Sequence, residues 1–455
     1  MYSFIARHIL APVLDYSRGT RTLDCLKQLD NSQWWPRAKL HELQNQRLKQ
    51  LVDHAYTNVP YYQHLFDERS IKPGDIQCTQ DIVKLPVLTK NIARICSREL
   101  MAQNFPTREI VQSHTGGSTG EPLAFFTSRK DQVNWGFAAA LRAFEWAGYE
   151  LGDRMAVIAV VRPYSSTIAR FRREAKDFIK RTLMLDAKKL SVRTIPLYAR
   201  KLYSFQPKFL SGYPSALELL ARFIQGEEKY QIRPKAVITG AEQLYDYQRE
   251  LFSSVFQCET YRYYSSWEVH ELGSECAAHT GYHVTAENAI VEIVDDEGFP
   301  VADGREGRIV ITNLHNYAMP FIRYEIGDVG AISEDACPCG RGLPLLTKLS
   351  GRTSDIIVTT SGKSVPGSAL IYVFREPMGV AQFQMVQENY NTVTVRIVME
   401  KEYPEEHLVE ISGKIVRKYR DVLGEDMDIR VKVVDHIPQT MDGKRRVIIS
   451  KITGS

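Results

Sequence analysis

Between about residues 105 and 280, short apolar runs alternate with amphipathic helical stretches, and this alternation limits the possible folds more than any other feature. Met155-Ala156-Val157-Ile158-Ala159-Val160-Val161 is a continuous apolar run rich in β-branched residues, and Ala236-Val237-Ile238 is a second. Both read as buried strands. Between them, Ala216 to Phe223 repeats its apolar side chains at helical spacing. Strand and helix in alternation imply α/β layers. From about residue 283 the pattern becomes β-rich. Ala289–Val294, the turn Asp295-Asp296-Glu297-Gly298 and Gly307–Thr312 read as a hairpin-bearing subdomain over about 283–350.

The flanks read differently. Residues 1–100 are mostly helical in pattern, as in His41 to Leu51, with a turn at Asn58-Val59-Pro60 because proline disfavours helix in the residue before it. A boundary is expected at Gly351 to Asp355. Beyond it, Thr392–Met399 and Asp428–Val434 read as amphipathic strands around a helix from Glu405 to Val422, a small α+β domain. The expected division is therefore 1–351 and 352–455.

Composition removes several function classes. Hydrophobic residues are 44% and charged residues 25% of the 455, ordinary for a packed globular chain rather than a disordered one. The net charge of +4, from 58 Lys+Arg against 54 Asp+Glu, is too balanced for a dedicated nucleic-acid binder. No apolar run reaches the ~20 residues that span a bilayer. Met1 to Tyr16 has no signal-peptide core, and reads as a packed segment with peripheral membrane contact as the alternative. Seven cysteines, an odd number without an export signal, point to reduced thiols in the cytoplasm.

Ser113-His114-Thr115-Gly116-Gly117-Ser118-Thr119-Gly120-Glu121-Pro122 follows the strand-like Ile110-Val111-Gln112. Glycine lets successive backbone N–H groups approach one anion, and hydroxyls add neutral donors, so the segment suits a polyphosphate. No lysine follows at Walker A spacing. This segment resembles the phosphate-binding signature of the adenylate-forming (ANL) superfamily, and more narrowly its phenylacetate–CoA ligase-like branch with the capsule-biosynthesis homologues. Further motifs occur in the family's order. Thr239-Gly240-Ala241-Glu242 resembles the loop beside the adenine. Tyr263-Tyr264-Ser265-Ser266-Trp267-Glu268 stands where the family has an aromatic residue that stacks on the base and a glutamate that ligates magnesium, which maps to Tyr264 and Glu268. Ser265 replaces the family's glycine and Trp267 its Thr or Ser. Arg323-Tyr324-Glu325-Ile326-Gly327-Asp328 resembles the motif whose aspartate holds the ribose hydroxyls. Gly351-Arg352-Thr353-Ser354-Asp355 resembles the hinge, where the arginine contacts the nucleotide. Pro438 to Arg446 resembles the loop that delivers a catalytic lysine, here Lys444, with Arg445 and Arg446 next in line.

The resemblance implies a large adenylate-forming domain and a small mobile C-terminal domain. It also implies an ATP- and Mg²⁺-dependent ligase that makes an acyl-adenylate from a small-molecule or sugar carboxylate and passes the acyl group to CoA or an amine, and dimers are common in the branch. Two other readings are a nucleotidyl transferase that leaves AMP on its substrate and a non-catalytic nucleotide-binding scaffold.

Two features stand apart. Cys337-Pro338-Cys339 is a tight knuckle, and Cys276 with His279 or His283 completes a Cys₃His set of the kind structural Zn²⁺ prefers. Relatives in the branch carry a similar cluster with the histidine just before the next strand, which implies Cys276, His283, Cys337 and Cys339. Arg162 to Arg193 holds ten Lys+Arg against three Asp+Glu, either a solvated helix face or a landing strip for an anionic partner.

Overall fold

The computed structural model describes residues 2–106, 109–114, 123–128, 131–161, 166–191, 193–227, 229–352, 356–366, 370, 372–374, 379–399, 404, 407–440 and 444–452. The N-terminal hundred residues are helical, as their periodicity predicts. The helix Arg37–Asn58 buries Leu40, Gln44, Leu48, Leu51, Val52 and Ala55, one stripe at three- and four-residue spacing. It ends at Val59, whose extended φ of −118° is what the following Pro60 demands, and Pro60 opens the next helix, Pro60–Glu68.

A hairpin, β1 (Ile110–His114) against β2 (Ala124–Ser128), precedes the central sheet. That sheet has eleven strands. In its first half β3 (Met155–Ala159), β4 (Thr182–Asp186), β5 (Phe209–Gly212), β6 (Ala236–Gly240) and β7 (Glu259–Ser266) run parallel in the order β4-β3-β5-β6-β7. The helices Thr167–Ile179, Ile195–Phe205, Pro214–Gln225 and Asp246–Phe256 make the crossovers. Strands covered on both faces need apolar side chains throughout, and Ala236, Val237, Ile238 and Thr239 of β6 are all buried.

In its second half the sheet turns antiparallel. It comprises β8 (His270–Ser274), β9 (Tyr282–Val284), β10 (Ala289–Val294), β11 (Gly307–Asn313), β12 (Tyr324–Ser333) and β13 (Leu345–Arg352), in the order β7-β8-β9-β13-β12-β11-β10. The β-rich stretch set apart in the sequence is thus hydrogen-bonded to the α/β strands in one sheet. β7 and β8 form a hairpin, which reverses strand direction without a crossover helix.

Buried charge ties the helical N-terminus to this sheet. Arg142, on the helix Asp131–Trp146, pairs with Glu287 at 2.8 Å with both side chains enclosed, and donates to the Leu29 carbonyl at 3.0 Å. Arg323, at φ +52°, pairs with Glu292 at 3.0 Å and donates to the carbonyls of Leu85 and Gly298. The arginine of the Arg-Tyr motif is therefore a structural clamp.

Past Arg352, the ribbon β14 (Ile356–Val358) and β15 (Ser364–Pro366) leads to a four-stranded sheet. Its order is β18 (Asp428–Val433), β17 (Thr392–Met399), β16 (Val380–Asn389), β19 (Ile448–Ser450). The helix Leu408–Leu423 covers it, burying Ile411, Ile415, Tyr419 and Leu423 at four-residue spacing. Each such side chain contributes about 2 kcal/mol by leaving water.

Candidate functional site

Parallel α/β sheets present their ligand sites beyond the carboxyl ends of the strands. A cavity of about 170 Å³ lies there. Its wall comes from the loop after β6 (Thr239, Ala241, Glu242), from β7 (Arg262, Tyr263, Tyr264, Ser265), from Asp328 on β12 and Gly351 on β13, and from Thr440 and Lys444 to Ile448. Five motifs scattered in the sequence meet at one void.

The loop after β6 is conformationally tight. Ala241 sits at φ +67°, a left-handed conformation that a side chain rarely adopts. A Cβ on Gly240 would lie 3.1 Å from the Tyr263 carbonyl, so the strand end packs closely on β7. Glu242 faces inward. Its carboxylate accepts from the Ser215 N–H at 3.0 Å, the Ser215 hydroxyl at 3.1 Å and the Arg445 N–H at 3.1 Å. Burial raises its pKa, and the Ser215 and Arg445 donors and nearby Lys444 oppose that rise. Glu242 therefore joins the two domains through a residue 203 positions away.

The C-terminal segment is further held to the large domain. The Gln439 side chain donates to the Ala187 carbonyl at 3.2 Å, and the Arg445 guanidinium to the Leu190 carbonyl at 3.1 Å. Thr440 and Lys444 close a turn on each other: the Thr440 N–H donates to the Lys444 carbonyl at 2.9 Å, and the Lys444 N–H to the Thr440 hydroxyl at 3.2 Å. Lys444, held by these bonds, lines the cavity.

Tyr264 and Asp328 are in direct contact, the phenol donating to the carboxylate at 2.8 Å. A bulge between Tyr264 and Ser265 in the β7–β8 pairing sets the direction of the side chains here. Asp328 lies directly across from Arg352 in the β12–β13 register, so the ribose-type carboxylate and the hinge arginine share one rung. Glu268 is not among the cavity-lining residues. It is buried, and accepts from the Tyr324 hydroxyl at 3.1 Å. Ser113 lies on β1, across from Phe125. Thr115, Gly116, Gly117, Ser118, Thr119 and Gly120, and the hinge residues Thr353 to Asp355, lie outside the described residues, as does the Arg352 side chain.

Ser215 and Arg262 belong to the cavity but were not singled out from sequence. Pro214 at the first position of its helix was the available signal, since it marks a helix start at the end of β5.

A second cluster lies in the antiparallel half. The ligand atoms of Cys276, His283, Cys337 and Cys339 all fall within 4.8 Å of one another. The Cys276 and Cys337 sulfurs are 3.7 Å apart, and the Cys339 sulfur is 3.2 Å from His283 Nε2. Two thiolates sharing a tetrahedral zinc at 2.3 Å each would stand roughly 3.8 Å apart, while a disulfide would bring them to about 2 Å. Strand pairing builds the cluster: β13 pairs with β9, with Leu345 opposite His283, and so carries the 337–339 loop over the imidazole. Burial lowers the His283 pKa to about 4, which keeps the ring neutral. His279, the other histidine at suitable spacing, is turned to Glu275 and Glu259, each at 3.4 Å. The four residues together match the donor chemistry of structural zinc.

Comparison with known proteins follows the same lines. The family described as the CapK C-terminal domain matches residues 357–451. The phenylacetate–coenzyme A ligase of Thermus thermophilus is 24% identical over 440 residues, covering 91% of this chain and 97% of that protein. Protein CapK of Staphylococcus aureus is 23% identical over 434 residues, covering 91% and 90%. A crystal structure of 2-hydroxyisobutyryl-CoA ligase, in the postadenylation state with an acyl-AMP, superposes with a TM-score of 0.74 at 20% identity, covering 93% and 92%.

Proposed function

We propose that the chain, which is similar to phenylacetate–coenzyme A ligase and to protein CapK over 91% of its length, is an adenylate-forming ligase of that branch that activates a carboxylic acid with ATP and then transfers the acyl group to CoA or to an amine. The observation that carries the reading is the shared cavity: Glu242, Tyr264 and Asp328 of the large domain and Lys444 of the small one line the same void.

A carboxylate is a poor electrophile because its oxygens already hold the charge a nucleophile would push onto them. In the first step a carboxylate oxygen attacks the α-phosphorus of ATP, the bond from that phosphorus to the bridging oxygen breaks, and pyrophosphate leaves with the electron pair. Charge gathers on the α-phosphoryl oxygens, so alignment and electrostatic stabilisation supply the catalysis. Lys444 is the cation for that charge. Asp328 is suited to the ribose hydroxyls because a carboxylate accepts two O–H donors at once. Tyr264, fixed by its bond to Asp328, offers a ring face to the base. Gly240, Ala241 and Glu242 close the far side of the nucleotide pocket.

Mg²⁺ would draw charge from the β- and γ-phosphates. Such ions are commonly held by one or two carboxylates together with substrate phosphates; the motif assigns that part to Glu268, which here is buried against the Tyr324 hydroxyl and does not line the cavity, so it would have to turn toward the phosphates to serve. The glycine-rich segment around Ser118 would cradle those phosphates. In the second step the acceptor's sulfur or nitrogen attacks the acyl carbon and AMP departs. Rotation at Gly351 and Arg352 would exchange the C-terminal residues facing the cavity, and Gly351 at φ +100° already holds a glycine conformation. Zinc on Cys276, His283, Cys337 and Cys339 would be structural, because four protein ligands leave no position for water.

The test is hydroxamate-coupled pyrophosphate release across aryl acids, uronic acids and amino acids. Release that depends on ATP and on one class of acid is expected. No release with any acid, together with no ATP-induced thermal shift, would leave only the scaffold reading. A stable AMP conjugate, insensitive to CoA or amine, would make the protein a nucleotidyl transferase.

A further inference from the structure

The helix Thr167–Ile179 carries its apolar stripe on the outside. At 100° per residue, Ile168, Phe171, Phe178 and Ile179 fall within an arc of about 100°. Folded helices turn such an arc inward. Here Ile168 is 66%, Phe171 72% and Phe178 84% exposed. Arg173 and Asp177, across the helix, are partly covered, as is the small Ala175 within the arc.

The N-terminal helical segment repeats the arrangement beside it. Ile5, Ile9, Val13 and Tyr16 recur at four- and three-residue spacing and are all exposed, Tyr16 to 91%. The two elements touch: the Tyr2 hydroxyl donates to the Ile179 carbonyl, and the Arg181 guanidinium lies 5.0 Å from the Tyr2 ring centre. A groove of about 350 Å³ runs between them, with Leu10 and Leu14 on one wall and Lys176 and Lys180 on the other.

Charge is concentrated on the same face. Residues 167–181 hold six Lys+Arg (Arg170, Arg172, Arg173, Lys176, Lys180, Arg181) and two acids (Glu174, Asp177), a net +4. The whole chain is also +4, so the remaining residues sum to zero. Both acids are engaged within the helix, Glu174 with Arg170 at 2.8 Å and Asp177 with Arg173 at 3.9 Å. Among the described residues no acid forms an ion pair with Arg172, Lys176 or Lys180. Lys176, Lys180 and Arg18 lie close enough to repel one another.

We propose that this face, built from the N-terminal helical segment and the helix Thr167–Ile179, docks the protein on an anionic phospholipid membrane. Apolar side chains would enter the acyl boundary while lysine and arginine heads stay at the phosphates. A second copy of the chain would bring two +4 faces together. A protein partner would be expected to meet anchors seated in pockets. Phe178 and Tyr16 instead stand clear of the surface, which suits a fluid partner that moulds around them. No described helix crosses a membrane, so the contact is peripheral.

Co-sedimentation of the full chain with vesicles tests this. Vesicles of phosphatidylcholine containing phosphatidylglycerol should carry down at least about tenfold more protein than phosphatidylcholine alone, and raising salt to about 0.5 M should release it. The double variant Phe171→Glu/Phe178→Glu should stay in the supernatant with unchanged Tm and pyrophosphate exchange. Lys176→Glu/Lys180→Glu should do the same. The proposal fails if the wild-type chain ignores the anionic vesicles, if it binds both vesicle types equally, or if the phenylalanine variant still pellets. It also fails if the wild type is a dimer without lipid that the phenylalanine variant converts to monomer, because the face would then belong to a second copy.

Discussion

The cavity around Lys444 and the cluster around His283 both gather residues from distant parts of the chain, but different forces assemble them. At the cavity, the C-terminal segment reaches the large domain through Gln439 to Ala187, Arg445 to Leu190 and Arg445 to Glu242. These hydrogen bonds contribute about 1 kcal/mol net where both groups are neutral and about 2 where one is charged, and beside them Tyr245 and Tyr247 pack on the core of the C-terminal sheet. At the cluster, Cys276 and His283 flank a turn inside one sheet, and the pairing of β13 with β9 fixes the 337–339 loop above them. Separating those residues means unzipping strands. One region is held by side-chain contacts between separate sheets, the other by strand pairing within one sheet. An enzyme with two half-reactions in one site needs both: a contact weak enough to exchange, and a frame that does not move with it.

The sharpest way to break this comparison is Lys444→Ala. Pyrophosphate exchange should fall by ~10²–10³-fold, as for loss of a group aimed at transition-state charge. Tm and the ATP-induced thermal shift should stay near wild type. A Tm loss as large as the activity loss would mean that the loop is part of the frame.

The frame should respond in the opposite manner. Elemental analysis of protein purified without added metal should find about one zinc per chain. Cys337→Ser should lower that content and drop Tm by several degrees before it changes the ATP-induced shift, because the binding energy of a structural metal is folding energy. A metal-free wild type of unchanged Tm would remove the contrast.

A subtler test lies within the sheet. Burial lifts the Glu271 pKa to about 7, against the pull of Arg142, Thr285 and Ser274. Its folded pKa lies above its unfolded value, so the neutral acid favours the folded state. That contribution is complete below about pH 4.5 and disappears as pH rises through 7, with a span on the order of 3 kcal/mol. Stability should therefore decline toward alkaline pH, and Glu271→Gln should flatten the profile of Tm against pH. A variant with the wild-type slope would exclude Glu271 as its source.

The smallest effect expected is that of Tyr264→Phe. Asp328 loses the phenol donor at 2.8 Å and keeps its place on β12. KM for ATP should rise by roughly threefold to tenfold with little change in kcat, in keeping with one neutral donor to a charged acceptor. A larger fall in kcat would mean that Tyr264 positions reacting atoms.

Much of the layout was legible from local pattern. Met155–Ala159 and Ala236–Gly240 announce themselves as buried strands, and Thr392–Met399 has the bounds its alternation implies. The motifs picked out from the family resemblance include Tyr264, Asp328 and Lys444, and these three line one cavity. Pairing between distant strands was not legible. His279 and His283 both have suitable spacing to Cys276; the resemblance favours His283, and the β9–β13 register puts it beneath the 337–339 loop. Arg323 reads as part of a nucleotide motif, yet its side chain clamps two loops and β10. Glu268 stands one residue beyond Trp267 in a recognisable motif, yet it lies in the turn between β7 and β8, buried on the Tyr324 hydroxyl and outside the cavity wall. The basic stretch from Arg162 to Arg193 could be read as a solvated face, because sequence does not tell which side of an amphipathic helix meets the protein.

By itself the amino-acid sequence determined most of the elements and the kinds of chemical group available. Those follow from short-range rules: side-chain periodicity, proline at helix starts and glycine where the backbone must turn or approach a ligand. Tertiary structure alone decided which groups meet. Glu242 contacts Arg445 and Leu345 pairs with His283 because sheet order and domain docking bring them together. Those arrangements minimise the free energy of the whole molecule, and no window of the sequence contains both partners.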